Sequence, residues 1–123
     1  MIERISFQPF TAEWRRKQVA ANGPNWPIST FRKGPKWLRA ELVGQRVELF
    51  DEGTQSVFAT AKVFSVKLCA FEDLDAWDWD RQTSDLVLGD GLEIMRKVYG
   101  EYELSTPTCV ITLSDVEITH DLK

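Results

Sequence analysis

Thr30 and Arg32 lie two residues apart in the stretch NWPISTFRKGPKW, which runs from Asn25 to Trp37 and also holds Trp26, Phe31, Lys33 and Lys36. A guanidinium is permanently charged and offers a planar fork of donors that matches phosphate or carboxylate. On a strand, a spacing of two puts the Thr30 hydroxyl and the Arg32 guanidinium on one face. Such a pair suits an anion or the edge of a base. Aromatic rings beside cations are the materials with which single-stranded nucleic-acid sites stack bases and hold phosphates. Trp26, Trp37, Lys33 and Lys36 therefore join Thr30 and Arg32 as candidate nucleic-acid-binding residues, with Arg39 extending the basic surface. Phe31 points the opposite way on a regular strand and belongs to the core. The competing structural reading pairs Arg32 with a carboxylate and buries both tryptophans.

A second cluster is acidic. FEDLDAWDWD carries Glu72, Asp73, Asp75, Asp78 and Asp80. Crowded carboxylates bind divalent cations or raise one another's pKa. This spacing does not match an EF-hand loop and lacks its glycine, so a solvated acidic turn is expected. A general base in a cleft and an acidic contact surface for a protein partner are the alternatives. Cys69 and Cys109 sit in strand-like runs with no Cys or His at metal-ligand spacing, and the lone His120 lies in the C-terminal tail. Buried free thiols are expected, with neither a metal nor a cofactor. Arg15, Arg16 and Lys17 span roughly 200° of a helix and read as a solvated face.

Length and composition narrow the possibilities. The 123 residues suit one domain, residues 1–123, and 43% are apolar. Seven Phe, five Trp and two Tyr supply bulky core material. The net charge of −4 argues against a general nucleic-acid binder, but it is unevenly spread. Residues 1–46 hold nine Lys and Arg against three Asp and Glu; residues 47–123 hold six against sixteen. A chain so divided either presents a basic face to an anion or neutralises its halves across the fold. Residues 1–10 contain no apolar run, and nothing reaches the ~18 apolar residues of a membrane span. A cytoplasmic protein without membrane contact is expected.

The elements that must position these groups follow from periodicity. Residues 4–8 alternate as a strand. Thr11 caps a helix over 12–22, closed by Gly23, and Pro24 and Pro27 forbid its continuation. Residues 28–32 form a short strand and KGPKW a turn. Residues 45–50 and 56–71 make a hairpin about DEGT, with Gly53 in positive φ and the long second strand bent. A further helix runs over GDGLEIMRKVYG, with Asp90 as N-cap, Glu93 at capping-box spacing, Leu92, Met95, Val98 and Tyr99 as its apolar stripe, and Gly100 at its end. Residues 106–119 close the chain as β structure, with Pro107 at its start. The class is α+β: a mostly antiparallel sheet curled into a small barrel, flanked by two main helices.

The ordered set of Thr30-x-Arg32, the strand entered from Gly44, the AKVFSV strand, FEDL and GDGLEIMRKVYGEY resembles the ASCH domain family, a relative of the PUA-like β-barrels. The likeness spans about residues 4 to 113, and the helix looks most like ASCH proteins of phage and bacterial genomes. The resemblance implies RNA or nucleotide binding, and by analogy with some members hydrolysis, either of an amide on a modified nucleoside or of RNA. The family motif Gly-x-Lys-x-x-Thr-x-Arg ends on Thr30 and Arg32, but its Lys falls on Pro27 and its first Gly on Asn25. Lys33 or Lys36 then stands in for that Lys. The family's distant Glu, which falls after the central strands, corresponds to Glu72. The implied catalytic set is Thr30, Glu72 and Lys33. Expected partners are RNA, single-stranded nucleic acid or a nucleoside. A protein partner is the alternative for a phage-type interaction factor without catalysis.

Overall fold

The computed structural model describes residues 3–7, 17, 27–82 and 88–118. The strands are β1 (Arg4–Phe7), β2 (Ile28–Lys33), β3 (Arg46–Asp51), β4 (Ser56–Ala70) and β5 (Pro107–Ile118). Helices α1 (Ala76–Gln82) and α2 (Leu88–Tyr99) lie between β4 and β5. The expected helix over 12–22 falls outside the described residues except Lys17, which is helical and exposed. Among the described residues no helix is long and apolar enough to cross a membrane.

One sheet holds all five strands in the order β1-β3-β4-β5-β2. β1 runs parallel to β3, and the other three pairings are antiparallel. The α+β class and the mostly antiparallel sheet are as expected; the parallel edge pair makes the sheet mixed. β4 is bent, also as expected. Its register against β5 shifts between Thr60 and Lys62 and again between Val63 and Ser65. The first shift places the extra residue in β5 and the second places it in β4; a bulge bends its strand and tightens the twist. Across from the first shift, Asp115 takes a left-handed φ of 49°, which a short polar side chain tolerates. The sheet consequently curls into a half-barrel.

Alternation then builds two cores. Ile5, Phe7, Ile28, Leu49, Phe58, Ile111 and Leu113 fill the inner face. Phe31, Phe71, Leu74, Met95, Tyr102 and Val110 pack between the outer face and the helices, joined by Trp79. Phe31, Phe71 and Trp79 meet edge to face with ring centroids 5.2 to 6.4 Å apart, a favoured aromatic geometry. Gly91 of α2 lies against Trp79 and Phe71, where a Cβ would overlap the Trp79 ring.

Two local expectations need correction. In the β3–β4 turn the positive φ belongs to Gln55, not Gly53. Asp51 organises this turn by accepting the N–H groups of Gly53 (2.7 Å) and Thr54 (3.4 Å), so the left-handed residue falls at its end. In α2 the helix has already begun at Leu88, which places Asp90 inside it rather than at its cap. The capping box belongs to α1. The Asp75 carboxylate accepts the Asp78 N–H (2.9 Å), and the Asp78 carboxylate accepts the Asp75 N–H in return (3.2 Å). Lys67 of β4 closes the group at 2.7 Å from the buried Asp78 carboxylate and 3.6 Å from Asp75. Part of the acidic segment is thus helix-capping structure.

Gly91→Ala is expected to lower stability by about 1–3 kcal/mol through overpacking against Trp79, read as a drop in thermal midpoint. The Asp78 N–H, and then the neighbouring Lys67, hold the Asp75 carboxyl below its ordinary range. A depressed folded-state pKa stabilises above the unfolded value, about pH 4, and the contribution is lost as pH falls through the depressed value. Asp75→Asn keeps the cap but removes the titration. Its urea-melt stability should therefore fall less steeply than the native protein's as pH drops below about 4.

Candidate functional site

The antiparallel registers lay β2, β5 and β4 side by side. Thr30 pairs with Ile111 and Ile111 with Val66; Arg32 pairs with Cys109 and Cys109 with Leu68. Paired residues share a face, so these are two rows across the inner face of the half-barrel. Thr30 and Arg32 are side by side there, as their spacing requires. Thr30 is buried, and Leu68 at the far end of the Arg32 row is exposed. The Arg32 row is thus a cation, a buried thiol and an exposed aliphatic group.

Arg32 reaches across the curled sheet. Its Nη1 donates to the Ser6 carbonyl oxygen at 2.7 Å, and its guanidinium lies 4.9 Å from the centre of the Phe7 ring. β2 and β1 are the two edges of the sheet, so this side chain spans the seam of the half-barrel. Its Nε is buried and meets no acceptor among the described residues. Desolvation pulls its pKa below the ordinary arginine value, while the adjacent Tyr99 hydroxyl acts in the opposite sense. Even so, an arginine keeps its charge at neutral pH.

No described carboxylate lies within ion-pair distance of Arg32, Lys33 or Lys36. Other cations of the basic half are paired: Arg4 with Glu48 (3.0 Å), Arg39 with Glu3 (2.9 Å) and Glu41 (3.0 Å), and Arg46 with Glu117 (3.9 Å). Neutralisation between and within the halves therefore accounts for Arg39, expected in the basic surface, but not for the three cations around the end of β2.

The other candidates are dispersed. Lys33 projects from the opposite face of β2 to Thr30, donates to the Glu101 carbonyl (3.1 Å) and lies 6.0 Å from the Tyr102 ring centre. Glu72 is exposed in the turn after β4, its backbone N–H bound to the Leu104 carbonyl at 2.8 Å. Trp37 is half-buried against the inner core, and the exposed Lys36 reaches within 5.9 Å of its ring centre. Trp26 lies outside the described residues. Phe31 packs in the outer core, as its parity demands. The structure thus unites Thr30 with Arg32 and sets Lys33 on the other side of the strand.

Sequence reasoning misses Ser6, Phe7, Leu68 and Tyr99 as neighbours of Arg32 or its row. Strand alternation assigns faces, but the bulges between β4 and β5 set which rows align. Both cysteines are free; Cys109 is buried and Cys69 half-buried. Burial pushes the Cys109 thiol up to about 11 and raises that of Cys69 as well. Because only the thiolate is nucleophilic, neither is activated for chemistry.

No protein-family model and no curated protein matches the chain. Solved structures do. A DUF984 protein from Enterococcus faecalis superimposes with a TM-score of 0.69 at 13% identity, covering 98% of this chain and 80% of its own. The ASCH protein of Zymomonas mobilis gives 0.56 at 16% identity, covering 94% and 68%, and its serine-to-alanine variant gives 0.59 at 14%, covering 95% and 70%. Likeness at these identities concerns the fold: the chain has an ASCH-like, PUA-type α+β half-barrel.

Native protein at about pH 8 should label slowly with a thiol reagent at both cysteines, and Cys109 should react at a rate close to that of a free thiol only after denaturation.

Proposed function

We propose that this ASCH-like half-barrel binds RNA or a nucleotide, with the Thr30–Arg32 row of its inner face holding an anionic group. One observation carries the reading: a half-buried arginine whose sheltered Nε has no acceptor and which has no carboxylate counter-ion among the described residues. Burying an ion costs several kcal/mol even after relaxation. A hydrogen bond from a charged group returns about 1.5–3 kcal/mol and a desolvated cation–π contact about 2. Ser6, Phe7 and the Tyr99 hydroxyl offset much of that cost but bring no opposite charge, which a phosphate would supply. Lys36 and Trp37, in the turn after β2, are the proposed peripheral contacts, with Trp26 the further aromatic candidate; Lys33, on the opposite face of the strand, is not one of them.

The hydrolase alternative has less support. Amide or phosphodiester cleavage needs a nucleophile or water beside a base and a stabilising donor. Lys33 is turned away from Thr30, its ammonium engaged by Glu101 and Tyr102.

Fluorescence anisotropy of a labelled single-stranded RNA pool, titrated at low and moderate salt, tests the proposal. Salt-sensitive binding with intact RNA is expected, weakened by about 1–3 kcal/mol in Arg32→Ala. Unchanged affinity and salt slope in that variant would remove Arg32 from the site. Shortened RNA on a gel of the same samples would redirect the reading to a nuclease.

A further inference from the structure

β3 covers β4 only as far as Lys62, and Val63 exchanges backbone bonds with Gln45 (2.9 Å) and Gly44 (2.8 Å). From Phe64 to Ala70 the strand pairs with β5 on one side and with no described residue on the other. An open strand edge presents unpaired N–H and C=O groups that invite another strand. A lysine in mid-strand is a common guard against this. Here Lys67 holds that place, but its ammonium is committed to Asp78 (2.7 Å) and Asp75 (3.6 Å). We infer that this edge of β4 pairs antiparallel with the same segment of a second copy of the chain, about a twofold axis, so that the sheets of two half-barrels become one.

Charge complementarity selects a second copy over another extended segment. Lys62, where the open edge begins, is exposed and in no ion pair among the described residues. Glu72 and Asp73, just past its far end, are exposed and equally unpaired. An antiparallel copy brings the acidic end of each chain to the basic end of the other, and the twofold makes that contact twice. A peptide of one charge would suit only one end. The apolar side chains agree. Phe64 is 61% exposed, the largest value among the described bulky apolar residues, and Leu68 is 39% exposed on the inner face beside the half-buried Val66. Directly opposite residues share a face, and a twofold normal to the sheet preserves each face. Even-numbered residues of one copy therefore meet even-numbered residues of the other, so Val66 and Leu68 meet their own kind. β4 also ends where this pairing requires: the tight turn Phe71–Asp73 carries the chain off the edge about where the partner copy's β3 takes it over.

Sedimentation velocity of the full chain over a range of concentrations tests the inference, without RNA and so apart from the anion-binding reading. A monomer–dimer equilibrium is expected, with amide hydrogen exchange between Phe64 and Ala70 slowing as the dimer forms. Phe64→Glu should weaken the dimer. Lys62→Glu alone, and Glu72→Lys with Asp73→Lys, should each weaken it about tenfold by setting like charges against one another at both ends. Mixing these two charge-reversed proteins should restore association, because each end again meets its opposite. A native chain still monomeric at about 1 mM would overturn the second copy as occupant. A dimer that none of the variants weakens, or whose protection lies elsewhere, would overturn the β4 edge. Weakening without recovery in the mixture would overturn the antiparallel twofold arrangement. Thermal melts check that each variant is folded, and the exchange pattern of the native chain decides the question if one is not.

Discussion

The bend of β4 organises the rest of the molecule. Its fifteen residues pair with β5 along nearly their whole length and with β3 only over the first part, from Ser56 to Lys62. Two register shifts against β5 turn the strand between these regions. In a flat sheet, β1 and β2 would be four strand spacings apart, roughly 19 Å. Curling brings them close enough for Arg32 to bond the Ser6 carbonyl. The same bend makes one face concave and fills it with aromatic and branched side chains, while the other receives the helices through an aromatic cluster. The proposed site is therefore a product of curvature: Arg32 belongs to β2, but its surroundings come from β1 and from the end of α2.

Charge follows the same geometry. Arg4, Arg39 and Arg46 lie where β1, the β2–β3 connection and β3 bring carboxylates within reach, and each is paired. Such exposed pairs contribute little stability individually, but they remove those cations from any anion-binding surface. Arg32 points inward instead, where its neighbours are a ring, a carbonyl and a phenol. An arginine cannot shed its proton to relieve burial as a lysine can, so the charge stays in place among these neutral neighbours.

The acidic segment shows how the same residue types serve opposite ends. Five carboxylates between Glu72 and Asp80 suggest a cation site or a catalytic base. In the fold, Asp75 and Asp78 satisfy free N–H groups at the start of α1, and Lys67 neutralises the pair. Helix α1 then presents Trp79 to Phe31 and Phe71. That packing fixes the outer face of β2 and so commits Thr30 and Arg32 to the inner face.

Local chemistry is written in consecutive residues and can be read from them. The strands Arg4–Phe7, Ile28–Lys33, Arg46–Asp51 and Pro107–Ile118, the long bent strand, the helix followed by Gly100 and the placing of Thr30 and Arg32 on one face all follow from alternation, turn residues and helix termini. The α+β class and the ASCH-like pattern follow from their order. Where local signals compete, sequence reasoning goes astray. Asp90 and Asp75 both precede a helical pattern, and only the observed start of α2 assigns the capping box to Asp75. Gly53 is the natural choice for a positive φ, yet the Asp51 carboxylate organises the turn and moves that conformation to Gln55. What lies around Arg32 is decided by tertiary structure alone. Ser6 comes from the opposite edge strand and Tyr99 from the end of α2, and their approach depends on bulges that no periodicity announces. A strand's alternation states which way a side chain points; only the curvature of the whole sheet determines what it meets there.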